Sequence, residues 1–167
     1  EELGRSLAPT PFSSSIYLFA EFIKLYGSED QKKKYLPKIA SGELIGTFAL
    51  SETNGTPRPN NIKAEVSDNK LNGEKIPVND GEIADVIIVA ANSDNNFNHN
   101  SLSLYIVEKD DPGLSISSLE SMDPTRPACS LSFSNTSVEQ LGEKGVGWSM
   151  IENIFNRAAV LLSFEQV

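Results

Sequence analysis

Apolar positions recur at helical spacing over residues 12–26, where Ile16, Phe19, Ala20, Ile23 and Tyr26 share a face. Gly27 ends that helix. Ser28-Glu29-Asp30-Gln31 then has the form of a capping box, with Ser28 as N-cap and Gln31 three places on. The helix it opens places Tyr35, Leu36 and Ile39 on one side. Lys32, Lys33, Lys34 and Lys38 lie mostly on the other, as a solvated face. Pro37 is expected to kink or restart this helix, and Ser41-Gly42 to close it.

From Leu44 the period changes to two. Phe48 and Leu50 alternate with Thr47, Ala49 and Ser51; Ile62, Ala64 and Val66 predict a second strand, and Leu71 to Asn79 a third after the turn Ser67–Lys70. Asp85 to Ala91 has too little alternation to face water and reads as a buried strand. The Asn-rich stretch 92–100 is a hairpin tip, and Leu102 to Val107 returns as its partner. Strands follow at Leu114–Leu119, after the Pro112-Gly113 turn, and at Cys129–Ser134. Strands at this spacing without intervening helices imply an antiparallel sandwich or barrel. The glycine-rich run 142–147 reads as a flexible connector. A final helix follows with Trp148, Ile151, Ile154, Phe155, Ala158 and Leu162 on one stripe, and no stop signal before Val167.

The expected fold class is therefore α+β. A short helical N-terminal segment (1–43) precedes an antiparallel β-sandwich or barrel middle domain (44–141), then a connector and the first helix of an incomplete C-terminal bundle (142–167). The apolar stripe of that helix and the Glu1-Glu2 start both suggest a piece of a longer protein. The junction at 46–60, a strand breaking into a loop with one Gly and two Pro, is a place where backbone N–H groups and hydroxyls could meet a cofactor.

Composition narrows the picture. A net charge of −9 with 14 Lys and Arg argues against nucleic acid or an anionic membrane surface as a partner. No apolar run reaches the roughly 20 residues of a membrane span. Cys129 is the single cysteine, which excludes an internal disulfide and suits a reducing compartment, with the cytoplasm as default. It alternates with apolar neighbours, as a small core residue does. His99, the single histidine, sits in the Asn-rich tip as a solvated residue. One His and one Cys supply no metal site and no nucleophile pair unless the two meet. Gly142, Gly145 and Gly147 precede a helix but lack the strand and ribose-binding acid of a dinucleotide fold. Among the carboxylates Glu52, Glu74, Asp80, Asp85, Glu108 and Asp123, no spacing selects an acid–base pair, so no catalytic residue is assigned.

Specific motifs add a resemblance. The run Tyr26 to Glu43, then Phe48-Ala-Leu-Ser-Glu52, Leu71-Asn-Gly-Glu-Lys75, Ala84-Asp85 before a hydrophobic strand, Asp123-Pro-Thr-Arg126, Leu141-Gly142 and Gly145-Val-Gly-Trp148 resemble acyl-CoA dehydrogenases, in order and at the right spacing over nearly the whole chain. The resemblance implies a three-part flavoprotein with FAD as cofactor. It implies oxidation of an acyl-CoA thioester to the 2,3-enoyl-CoA, and electrons passed to an electron-transferring flavoprotein. It also implies a homo- or hetero-oligomer, and a carboxylate base in the bundle beyond Val167.

The same resemblance puts Phe48, Leu50 and Ser51 along the flavin, with the Leu50 backbone and Ser51 hydroxyl at its pyrimidine edge. Thr56 could offer its backbone N–H. Pro57, which cannot, stands where the family has a Ser facing flavin phosphate or substrate, and Arg58 where it has an Asp. Pro77 replaces a shielding Trp, and Asn79 a hydroxyl residue that reaches the flavin; its amide can still donate. Two readings follow: a divergent active dehydrogenase, or the degenerate non-catalytic or half-site partner subunit of a heteromeric one.

Overall fold

The computed structural model describes residues 2–6, 8–52, 55–93, 101–120, 123 and 127–165. Its helical part begins with the short α1 (Glu2–Arg5). A π-helical stretch, Ser13–Ala20, runs without a break into α2 (Glu21–Tyr26), so the single expected helix has two windings. The helix α3 (Glu29–Ser41) follows. Its capping box forms as the sequence implies: the Gln31 N–H donates to Ser28 Oγ at 3.2 Å, and the Ser28 N–H donates to Gln31 Oε1 at 2.9 Å. Gly42 closes α3 in the left-handed conformation, φ 77°. Pro37 neither restarts nor ends it. The carbonyl four residues back, whose bond a proline removes and against which its ring presses, is that of the exposed Lys33 on the solvated side of the helix.

Among the described residues eight strands form one sheet: β1 (Gly46–Ala49), β2 (Glu65–Ser67), β3 (Lys70–Asn79), β4 (Val86–Asn92), β5 (Leu102–Glu108), β6 (Leu114–Leu119), β7 (Ala128–Ser137) and β8 (Glu139–Leu141). The order is β6-β7-β3-β2-β4-β5-β8, with β1 also on β4. Most pairs are antiparallel, as expected, but β1 and β4 run parallel from Gly46↔Val86 to Ala49↔Val89. The long crossover between them, which contains β2 and β3, returns the chain in its original direction. Ile62 and Ala64 are buried yet precede the short β2, after a 3-10 turn at Pro59–Asn61. The Asn-rich tip at 94–100, His99 included, and Pro124 to Arg126 lie outside the described residues.

The sheet is buried on both faces along β4. Val86, Ile88 and Ala90 face the helices, with Phe19, Phe22, Ile23, Phe48 and Leu50. Ile87, Val89 and Ala91 pack with Leu71, Val78, Cys129 and Leu131. That explains why this stretch lacks alternation. At the start of β1, Gly46 lies so close to the Phe19 ring that any Cβ would overlap it.

The connector to the last helix is tied down rather than loose. The Gly145 N–H donates to Ser103 Oγ at 2.8 Å, and a Cβ on Gly147 would sit 2.8 Å from the Leu102 carbonyl oxygen. The helix α4 (Gly147–Glu165) packs on the π-helical stretch, α1, α2 and β5; Met150, Ile151 and Ile154 join the core there, and Ala158 is buried as well. Trp148 and Leu162 are half-buried, and Phe155 is exposed, so the stripe expected from sequence is only partly covered. Val160, Leu161 and Phe164 are exposed apolar residues on the same helix.

Candidate functional site

The end of β1 and the second half of β3 meet along a seam. Thr47 Oγ1 donates to the Asn79 carbonyl at 2.7 Å. Four residues on, the Ile76 N–H donates to the Ser51 carbonyl at 2.8 Å. The two segments therefore lie side by side, and the residues singled out from sequence at 48–51 and 77–79 become neighbours. Pro77 sits at a register shift between β3 and β7, where its missing N–H breaks no ladder bond. Pro77 and Asn79 are exposed and flank the buried Val78, so they lie on the opposite face of β3 from it.

The seam residues divide into lining and support. Phe48 is buried; its ring centroid lies 4.9 Å from that of Phe22 and 5.9 Å, edge-on, from that of Phe155. Leu50 is buried in the same cluster. Their side chains therefore support β1 from beneath and offer no flat surface. Ser51 is half-buried. Thr56 is exposed and Pro57 half-buried on the loop beyond, and Arg58 is exposed. The loop has lost its ladder by then: β1 pairs with β4 only as far as Ala49.

One functional candidate was not singled out from sequence. Lys75 on β3 is fully buried. Its ammonium donates to the Leu50 carbonyl at 3.1 Å and to Glu52 Oε1 at 2.7 Å. Glu52 also accepts the backbone N–H groups of Lys63, at 2.6 Å, and Ala64, at 2.9 Å. Burial pushes the Lys75 ammonium down from its ordinary 10.5 to about 8, and the Glu52 carboxylate pulls it partly back. Sequence spacing carries no signal for this pair, because its members are 23 positions apart on different elements.

A second polar cluster ties α3 to β5. Lys34 Nζ and Tyr35 Oη both donate to Glu108 Oε1, at 2.7 and 2.9 Å, and the Lys34 ammonium lies 4.6 Å from the Tyr35 ring centroid. The hydrogen bond to Glu108 raises the Lys34 pKa; burial first, and Glu108 second, push Tyr35 up to about 12. A cleft of about 200 Å³ opens beside them and another of about 390 Å³ beside Tyr105 and Lys144, neither lined by the β1–β3 seam. Other carboxylates are engaged structurally: Asp85 accepts the Ile45 N–H at 2.8 Å, Glu74 accepts from Ser130 at 2.9 Å, and Asp80 from Ser14. Among the described residues no cluster of His, Cys, Asp and Glu is placed to hold a metal ion, and no helix is long and apolar enough to cross a membrane.

The residues at the seam fit the edge of a polar heteroaromatic ring. Three backbone carbonyls, of Leu50, Ser51 and Asn79, already accept bonds from the protein. That leaves the Ser51 hydroxyl, just past the end of β1, and the exposed Asn79 carboxamide on β3 as donor groups along the seam.

Comparison with known proteins identifies the family of the chain. The sequence pattern "Acyl-CoA dehydrogenase, middle domain" matches residues 47–136, and "Acyl-CoA dehydrogenase, N-terminal domain" matches residues 1–43. The 2-methylacyl-CoA dehydrogenase, mitochondrial, of Solanum tuberosum is 34% identical over 132 residues, 72% of this chain and 32% of that protein. The short-chain-specific acyl-CoA dehydrogenase of Clostridium acetobutylicum is 34% identical over 126 residues, 72% of this chain and 33% of that protein. The chain thus spans about a third of the length of these curated relatives. Butyryl-CoA dehydrogenase from Megasphaera elsdenii superposes with a TM-score of 0.82 at 28% identity, over 89% of this chain and 41% of that one. With its middle-domain pattern extending over more than half of its length, the chain belongs to the acyl-CoA dehydrogenase family of flavoprotein oxidoreductases.

Proposed function

We propose that the chain carries the flavin-edge half of an FAD-dependent acyl-CoA dehydrogenase, which takes the α and β hydrogens from an acyl-CoA thioester and delivers the electrons to an electron-transferring flavoprotein. The observation that carries this reading is the β1–β3 seam, where the Thr47–Asn79 and Ser51–Ile76 bonds hold the segment that bears Ser51 alongside the strand that bears Asn79. When bound, a flavin supplies the two-electron acceptor. On this reading the Ser51 hydroxyl and Asn79 carboxamide hold its polar edge, Pro77 covers part of its face, and Phe48 and Leu50 keep β1 in place through the packing beneath. Thr56 offers a backbone N–H farther along, and Pro57 faces the substrate side. The α-proton goes to a carboxylate base outside residues 1–167, and the divisions 1–43, 44–141 and 142–167 fall to the helical, β and bundle parts. The exposed apolar side chains of α4 favour an assembly, homo- or hetero-oligomeric.

A second reading, a degenerate non-catalytic or half-site subunit whose partner holds flavin and base, is favoured by Pro77 and Asn79. A prolyl ring has less stacking surface than an indole, and the open position over β3 carries no aromatic side chain. Two measurements on the full-length protein separate and test these. Under the first reading, Ser51→Ala lowers the flavin-to-protein ratio of the purified protein; an unchanged ratio contradicts the assignment of Ser51. Under the second, the protein is colourless alone and gains flavin only when co-purified with a related subunit.

A further inference from the structure

The corner at residues 50–52 has no ladder to define it, since the last β1–β4 pair is Ala49↔Val89. What defines it is contact with β3. The buried Lys75 ammonium grips Leu50 through its carbonyl and Glu52 through its carboxylate, one residue on either side of Ser51. The next residue of β3, Ile76, holds the Ser51 carbonyl itself. Glu52 extends the grip to the backbone N–H groups of Lys63 and Ala64, which lead into β2. An apolar side chain in place of Lys75 could fill the same space without the cost of desolvating a charge. It could not fix the direction of a carbonyl and a carboxylate at a corner outside the sheet.

We propose that Lys75 is a positioning residue for cofactor binding: its ammonium, with Glu52, locks the Leu50–Glu52 corner so that the Ser51 hydroxyl is presented to the flavin edge. This rests on the flavin reading given above, and it adds a residue that touches no ligand. Neither Lys75 nor Glu52 has an exposed charge to meet a ligand, since the side chains are 0% and 9% exposed. Their effect reaches the cofactor only through the backbone between them.

The test uses the full-length protein and the paired variant Glu52→Gln/Lys75→Met. Both charges leave together, so neither is stranded in the interior. Three quantities are read: amide hydrogen exchange at 50–52, the Kd for FAD added to flavin-stripped protein, and the visible band shape of the bound flavin. The expected result is a cooperatively folded variant with faster exchange at 50–52 and unchanged exchange in β4 and β5. Its Kd for FAD rises about tenfold, the scale on which a lost supporting contact is felt, and its flavin band shape is altered. Parent-like exchange at 50–52 overturns the proposal, and so does faster exchange with parent-like Kd and band shape. Should the paired variant fail to melt cooperatively, Glu52→Asp carries the same test. It keeps both charges and both carboxylate oxygens, but the shorter side chain cannot reach Lys75 and the Lys63 and Ala64 N–H groups at once, and its expected effects are the same in direction. A parent protein that binds no FAD contradicts the flavin reading itself; the exchange arm then still decides whether Lys75 locks the corner.

Discussion

Lys75 and Glu52 are the residues whose chemistry the fold constrains most tightly. Removing the ammonium alone strands a carboxylate that is nearly buried and that keeps only two backbone N–H donors. Lys75→Met is therefore expected to cost about 3–5 kcal/mol, read as a lower urea midpoint, whereas the paired change with Glu52→Gln costs much less. Equal losses from the single and the paired change would contradict the coupling. Cys129 gives a second residue-level test. It is fully buried beside Gly81, and burial raises its thiol from 9.0 to about 11. A native protein at pH 8 should not react with a thiol reagent, and reaction should appear on unfolding. The sign of the pH effect follows. Above pH 9 the unfolded chain loses this proton while the folded chain keeps it, so the stability from Cys129 is complete below 9 and is lost as pH rises to 11. Lys75 acts in the opposite sense: its folded pKa is depressed, so its contribution grows from pH 8 to 10.5. The stability difference between the parent and Cys129→Ala should accordingly shrink between pH 9 and 11, and a constant difference would contradict the assignment.

At the scale of elements, α3 and β1 are held by devices that single changes can remove. Ser28→Ala takes away one half of the capping box and should cost about 1 kcal/mol, measured by thermal unfolding. Gly46→Ala drives a methyl group into the Phe19 ring and should cost roughly 1–3 kcal/mol; a neutral result would mean that β1 can move away from the π-helical stretch without loss. The same elements show what the sequence reveals. The capping box is a local signal four residues long, and α3 begins where it predicts. The buried strand β4 is legible because a sheet covered on both faces needs a continuous apolar run. Its parallel pairing with β1 is not, because strand direction depends on a crossover of more than thirty positions rather than on either strand's residues. β8, three residues long, is too short to leave a period, and it forms only because β5 offers it an edge. Pro37 does not restart α3, which runs on to Ser41. For the site, the pattern of residues points to 48–51 and 77–79 but not to what joins them. The seam is built from backbone carbonyls, and the Lys75–Glu52 pair spans 23 positions.

At the scale of the whole molecule, the chain is a helical layer packed on one face of a sheet whose other face closes on itself. The final helix presents Phe155, Val160, Leu161 and Phe164 to solvent, and the chain spans about a third of its curated relatives. Under the proposed reading, the base and the rest of the site come from outside residues 1–167. The flavin reading makes one demand on that larger object which no amount of fold similarity satisfies, because Pro77 and Asn79 stand exposed on the strand face assigned to the cofactor. The decisive measurement is the visible absorption spectrum of the full-length protein purified alone, before and after anaerobic addition of an acyl-CoA. Close to one bound flavin per chain and bleaching of its band by the thioester are expected; a folded, colourless protein, or a flavin band that no acyl-CoA bleaches, would contradict the flavin reading.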